Sequence, residues 1–281
     1  MNSNLTDREY FGSYLTGLFE TCGSISIRKH GCPLISLSFH IKNKALVEAI
    51  KERIGYGSIY KNRDKNISYQ IFNKEGLLKF IEMTQKYLRT PKIKEYNNMI
   101  EYLNIKKNCN LSLAEIDESS FDTNAWLSGY LEISGSFDIL TKTQSNRYYF
   151  DPKFTLTHKK IDKNNNSYEP FLQSLAAFLN TPLQEKQDGD KDCFLIRLFH
   201  STYYLVNYLH NYPLFGCREY TFNIFHCVYD LWTNSDLRVK FFEGKTREEY
   251  IQSIETLKDS MNKEIPEDYT PVNLQDLPRY D

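Results

Sequence analysis

The chain carries one nine-residue pattern twice, 112 positions apart: Leu15-Thr16-Gly17-Leu18-Phe19-Glu20-Thr21-Cys22-Gly23 and Leu127-Ser128-Gly129-Tyr130-Leu131-Glu132-Ile133-Ser134-Gly135. After each closing glycine the apolar spacing changes from helical to strict alternation, the mark of a helix running into a strand. A repeat that includes the same switch calls for two copies of one supersecondary unit. Thr16 with Gly17, and Ser128 with Gly129, place small residues where two helix backbones could approach closely.

The units can be followed along the chain. Thr6-Asp7-Arg8-Glu9 reads as a capping box, and the helix it opens runs toward Gly23. Ser24, Ser26, Arg28, Ser36, Ser38 and His40 then alternate with apolar residues, which predicts half-buried strands. A helix ending at Gly55, strands at about 57–61 and 66–72, and helices at about 74–88 and 92–105 complete an αββαββα order with a trailing helix. The second half repeats it, with its motif helix at about 123–134, strands at about 136–141, 148–158, 183–187 and 193–200, and later helices near 168–179, 201–211 and 219–233. We expect a first domain at 1–105, a linker at 106–122, a second domain at 123–245, and a terminal helix with an acidic tail at 246–281. Lys94-Glu95-Tyr96 and Arg218-Glu219-Tyr220 read as matching positions of the late helices.

The duplicated pattern resembles the signature of the LAGLIDADG homing endonucleases and maturases. The resemblance implies an α+β fold of two pseudo-symmetric domains whose strands form a β-saddle over nucleic acid, with Gly17 and Gly129 at the domain interface. It also implies a metal-holding acid at the eighth motif position, but Cys22 and Ser134 stand there. Mg²⁺ is a hard ion that takes oxygen ligands, usually charged; a thiol and a neutral hydroxyl are poor substitutes. Glu20 and Glu132, at the sixth position, are the adjacent acids, and Lys92 or Lys94 with Arg218 are positional candidates for the basic residues that the resemblance implies around the site. A two-residue offset turns a helical side chain by about 200°, so these acids point away from the metal's place, and the family's own acid at this position suggests a structural role. We therefore expect no catalytic residues, no metal site and no cofactor, Mg²⁺ entering only if the chain is an active endonuclease with rearranged ligands.

The sequence has 35 basic and 36 acidic residues, a net charge of −1, which is low for a protein that must neutralise many phosphates. The cations gather in loops and strand ends, and the nucleic-acid-binding candidates are Arg28, Lys29, Lys61, Arg63, Lys65, Lys153, Lys159, Lys160 and Arg197. Hydroxyls dominate the rest of the alternating polar face, which is a poor reader of base edges. These features favour binding of structured RNA, as a group I intron maturase or a component of an organellar ribonucleoprotein such as the mitochondrial ribosome. Protein contacts are expected through the C-terminal extension, DNA is a further candidate partner, and a purely structural subunit is the remaining alternative.

No run of about 18 apolar residues exists, so no membrane-spanning helix is expected. The opening residues resemble neither a signal peptide nor a transit peptide, so a mitochondrial setting would most simply involve organellar encoding. The six cysteines form no C-x-x-C pair and read as free thiols.

Overall fold

Helix α1 (Asp7–Cys22) begins at the capping box, where Thr6 Oγ1 accepts from Glu9 N at 3.3 Å and Glu9 Oε2 accepts from Thr6 N at 3.0 Å. This computed structural model describes residues 5–27, 32–62, 64–189, 191–199, 202–263, 265 and 269–280. Gly23 carries α1 directly into β1 (Gly23–Ser26), and β2 (Leu34–His40), α2 (Lys44–Ile54), β3 (Ser58–Lys61), β4 (Asn66–Ile71), α3 (Lys74–Thr84) and α4 (Ile93–Lys107) follow. The second half runs α5 (Trp126–Leu131), β5 (Ser136–Gln144), β6 (Arg147–Lys159), α6 (Glu169–Phe178), β7 (Gln184–Asp188), β8 (Lys191–Leu198), α7 (Thr202–Asn211) and α8 (Arg218–Thr233).

The two antiparallel sheets have matching strand orders, β1-β2-β4-β3 and β5-β6-β8-β7. Alternation decides which residues face the helices. Ile35, Leu37 and Phe39 of β2 are buried, and so are Phe154 and Leu156 of β6. Ser36 stands between Ser24 and Gln70, and Ser38 opposite Ser68, on the other face of the first sheet.

Helices α1 and α5 pack backbone to backbone. A Cβ added at Gly17 would collide with Trp126 O and come within 2.6 Å of Tyr130 N; one added at Gly129 would collide with Tyr14 O and lie 2.8 Å from Tyr14 C. Trp126 and Tyr14 occupy the same place in the two repeats, so the contact is symmetric. Around it, Tyr14, Leu15, Leu18, Phe19, Leu127 and Tyr130 are fully buried and join both halves into one core.

Three features differ from the sequence reading. The second motif helix is shorter than the expected 123–134, because the Asn124 side chain caps Trp126 N at 3.0 Å while its own backbone is extended, so helix starts only at Trp126. A helix not anticipated, α9 (Ser235–Phe242), precedes the expected terminal helix α10 (Arg247–Asn262). The tail, for which no contact within the chain was anticipated, packs on it: Glu219 Oε2 accepts from Val272 N at 2.7 Å, and Arg53 Nη2 donates to Leu277 O at 2.6 Å. Tyr280 ends the strap with its ring 6.4 Å from that of Phe11 and the Lys79 ammonium 4.5 Å from its centre.

Gly17→Ala or Gly129→Ala should force α1 and α5 apart. We expect each to lower unfolding free energy by about 3 kcal/mol or more, in the range of severe core overpacking. Denaturant unfolding of either variant with an unchanged midpoint would contradict this packing.

Candidate site at the paired helix ends

The ends of α1 and α5 meet at the pseudo-twofold axis, and each sixth-position acid is spent on holding the halves together. Glu20, 3% exposed, accepts from four donors: Arg89 N at 3.0 Å, Thr90 N at 2.8 Å, Thr90 Oγ1 at 2.6 Å and Trp126 Nε1 at 2.8 Å. Glu132 Oε1 accepts from Tyr14 OH at 2.8 Å, Gly216 N at 2.9 Å and Phe215 N. Each acid thus binds the turn before a late helix of its own half and an aromatic donor from the other half. Burial pushes both carboxyls above the usual range, and the surrounding donors pull them back. Carboxylates so enclosed are structural staples: both oxygens of Glu20 are occupied, each by two donors, whereas Glu132 is held through Oε1 and its Oε2 is buried without a hydrogen-bond partner.

The eighth positions turn inward. Cys22 Sγ donates to Leu18 O at 3.2 Å, and Ser134 Oγ donates to Tyr130 O at 2.6 Å, each four residues back in its own repeat. A carboxylate could make neither bond, since it has no proton to donate. Burial pushes the Cys22 thiol from its ordinary 9.0 up to about 12, against the pull of Lys92. A protonated sulfur and a hydroxyl already committed to a helix carbonyl do not fit a hard divalent cation. Among the described residues no group of three or more His, Cys, Asp or Glu could hold a metal ion.

Two cations complete the arrangement. Lys92 Nζ donates to Phe19 O at 3.0 Å and Gly23 O at 2.6 Å, closing the carbonyl end of α1. Arg218 Nη2 donates to Ile133 O at 3.3 Å just past α5. Burial lowers the Lys92 pKa. These cations sit where the helix dipoles are negative. The structure therefore pairs Lys92 with Arg218, correcting the sequence register that matched Lys94 with Arg218; Lys94 instead reaches Asn166.

The nucleic-acid candidates divide between the two sheets. Arg28, Lys29 and Arg63 lie outside the described residues. Lys61 ends β3, and Lys65 sits in the following turn with φ 58°. Lys153 stands opposite Asp138 and pairs with it at 3.2 Å, so strand register neutralises both. Lys160 pairs with Glu185 at 2.8 Å. Lys159 is exposed with its ammonium 5.9 Å from the Tyr168 ring centre, and Arg197 is exposed on β8 opposite Thr155. Among the described candidates, Lys153 and Lys159 lie on β6 and Arg197 on the adjoining β8, while Lys61 and Lys65 lie at the β3–β4 turn of the other sheet. The structure adds Tyr14, Trp126 and Thr90 to the site; the sequence signal for the first two was an aromatic residue with a polar tip just before each repeat.

The family model described as LAGLIDADG endonuclease matches residues 15–103 and, a second time, residues 127–229. The intron-encoded DNA endonuclease aI3 of Saccharomyces cerevisiae is 24% identical over 204 residues, covering 63% of this chain and 49% of that protein. The intron-encoded RNA maturase bI4 of the same organism is 23% identical over 251 residues, covering 76% of this chain and 38% of the relative. The chain thus spans about half the length of the curated relatives it matches. The solved LAGLIDADG meganuclease I-CpaMI, bound to uncleaved DNA, shares the fold with TM-score 0.66 at 18% identity, covering 90% of this chain and 99% of that one.

Two outcomes follow from the site. Glu20→Ala leaves four donors without an acceptor, and we expect a loss of at least about 3 kcal/mol in denaturant unfolding; a loss below about 1 kcal/mol would contradict the staple. The Cys22 thiol keeps its proton in the fold to about pH 12 but loses it near pH 9.0 when unfolded. Its stabilising contribution is therefore intact below pH 9 and falls by roughly 1.4 kcal/mol per unit as pH rises from there toward 12. Stability measured against pH should lose this part of its alkaline slope in Cys22→Ser; parallel curves for the two proteins would refute it.

Proposed function

This chain belongs to the LAGLIDADG endonuclease family, and we propose that it is a member that no longer cuts and instead binds structured RNA. The observation that carries the reading is the pair Cys22 and Ser134, both donating to helix carbonyls where a metal-dependent nuclease needs anionic oxygen ligands. Glu20 is no reserve, because releasing it from its four donors would open the contact between the halves, and Glu132 is buried with its Oε1 bound by Tyr14, Phe215 and Gly216.

The relatives in the family include both an endonuclease and an RNA maturase. Charge favours the second occupation. The net charge is −1, and Lys153, Lys160 and Lys163 are each paired with an acid of the same chain. A long duplex gripped through many phosphates suits such a surface poorly, whereas a folded RNA is read by shape and a few backbone contacts. The reading covers an intron maturase and a fixed component of a mitochondrial ribonucleoprotein alike.

The test has two arms. Incubated with Mg²⁺ and a broad library of duplex sites, the protein should leave every duplex intact, and specific nicking would overturn the loss of cutting. Structured group I intron RNA should bind at low salt. Replacing Lys159 and Arg197 by Ala should weaken that binding and reduce its salt slope by roughly one unit or slightly less per lost phosphate contact. No RNA binding at low salt would overturn the RNA reading.

A further inference from the structure

The pseudo-twofold relation makes one kind of groove twice, and the two copies are filled differently. The first copy lies where the start of α1 (Leu5, Asp7 and Tyr10), Arg53 of α2, and the turn holding Pro213 and Phe215 converge; residues 275–279 of the tail form its remaining wall. Leu277 is buried there, and Arg53 Nε donates to Leu277 O at 3.1 Å and Pro278 O at 2.9 Å. The second copy is built by the equivalent elements: linker residues 116–121, α6, and the turn from Arg89 to Lys94. Their equivalence rests on shared details. Glu20 receives the amides of Arg89 and Thr90 as Glu132 receives those of Phe215 and Gly216. Gly55 after α2 and Asn180 after α6 both adopt left-handed backbone, with φ 77° and 51°.

No described segment of the chain fills the second copy, which is a cavity of about 920 Å³. That volume falls within the range of ligand sites. Its walls include Phe121, Phe171, Phe178, Ile93 and Ile116. Phe178 stands at the place of Arg53, so the wall that is cationic in the first copy is apolar in the second. Arg89, 6% exposed, lines the cavity; its terminal nitrogens bind Asp117 and Ser119, while its Nε–H has no acceptor. The arginine of the first copy gives its Nε–H to the carbonyls of Leu277 and Pro278, whereas the Arg89 Nε–H is buried, with the guanidinium over the Phe121 ring.

We propose that the second groove docks an extended peptide segment of a partner protein, anchored by a bulky apolar side chain followed by proline, as Leu277 and Pro278 are seated in the first groove. Proline holds the segment extended before it binds, which lowers the ordering cost. Charge argues against a phosphate-bearing occupant: Glu118 is exposed on the rim and Lys94 is engaged by Asn166. The partner surface is thus on the side of the pseudo-axis opposite the strapped tail.

Selection of a displayed random heptapeptide library on the full chain tests the proposal. The selected peptides should share an apolar-proline pair. Their affinity, read by fluorescence polarisation, should fall tenfold or more in Ala177→Trp, which fills the groove from an exposed α6 position. Glu52→Trp, at the matching exposed position of α2 beside the tail-filled groove, should bind them as wild type does. Unchanged melting temperatures establish that both variants fold. An unselective library, peptides indifferent to Ala177→Trp, or an oligouridine probe that binds the wild type and is lost in Ala177→Trp would each overturn a peptide site.

Discussion

Contact between the backbones of α1 and α5 is the constraint on which everything else in this molecule depends. Only residues without a Cβ permit it at Gly17 and Gly129, and the approach is close enough for side chains of one repeat to reach the acid of the other. Trp126 Nε1 reaches Glu20 and Tyr14 OH reaches Glu132, so the two halves are cross-linked by hydrogen bonds on either side of the axis. Buried hydrogen bonds to a carboxylate are stronger than neutral ones and costly to leave unmade. The acids therefore stay fixed while the neighbouring eighth positions are free to change.

That separation of tasks lets the eighth positions carry a thiol and a hydroxyl while the contact between the halves is held by other residues. Cys22 and Ser134 contribute short, local bonds to helix carbonyls, and nothing in the contact between the halves passes through them. Lys92 and Arg218 close the helix ends with positive charge, satisfying carbonyls that a helix terminus otherwise leaves to water. The result is a centre in which each sixth-position acid and each helix-end cation is bound within the fold.

Much of this was legible from residue order, because the information was local or repeated. The glycine pair, the helix-to-strand switch after each copy and the alternation in β2 and β6 depend on neighbours within a few positions. The structural role of Glu20 and Glu132 was implied by the family resemblance, with helix geometry turning both away from the metal's place. What escaped was long-range. Trp126 and Glu20 are 106 positions apart in their hydrogen bond, and Arg53 and Leu277 are 224 apart, so no local period announces either pair. The register of the late helices was misplaced because a Lys-Glu-Tyr and Arg-Glu-Tyr likeness outweighed the position that reaches the motif helix. The tail's contacts within the chain were not anticipated from its acidic composition, although Leu277 is an apolar anchor and Glu219 a buried acceptor at the N-terminus of α8.

The central claim, that the paired helix ends offer no hard-cation site because their acids serve as staples, is tested most directly by titrating the protein with Mn²⁺ and following free ion by electron paramagnetic resonance. We expect no saturable binding at the helix ends, with the signal of the wild type matching that of Glu20→Gln and Glu132→Gln once folding of each variant is verified. Stoichiometric uptake of Mn²⁺ by the wild type that disappears in either folded variant would contradict the account.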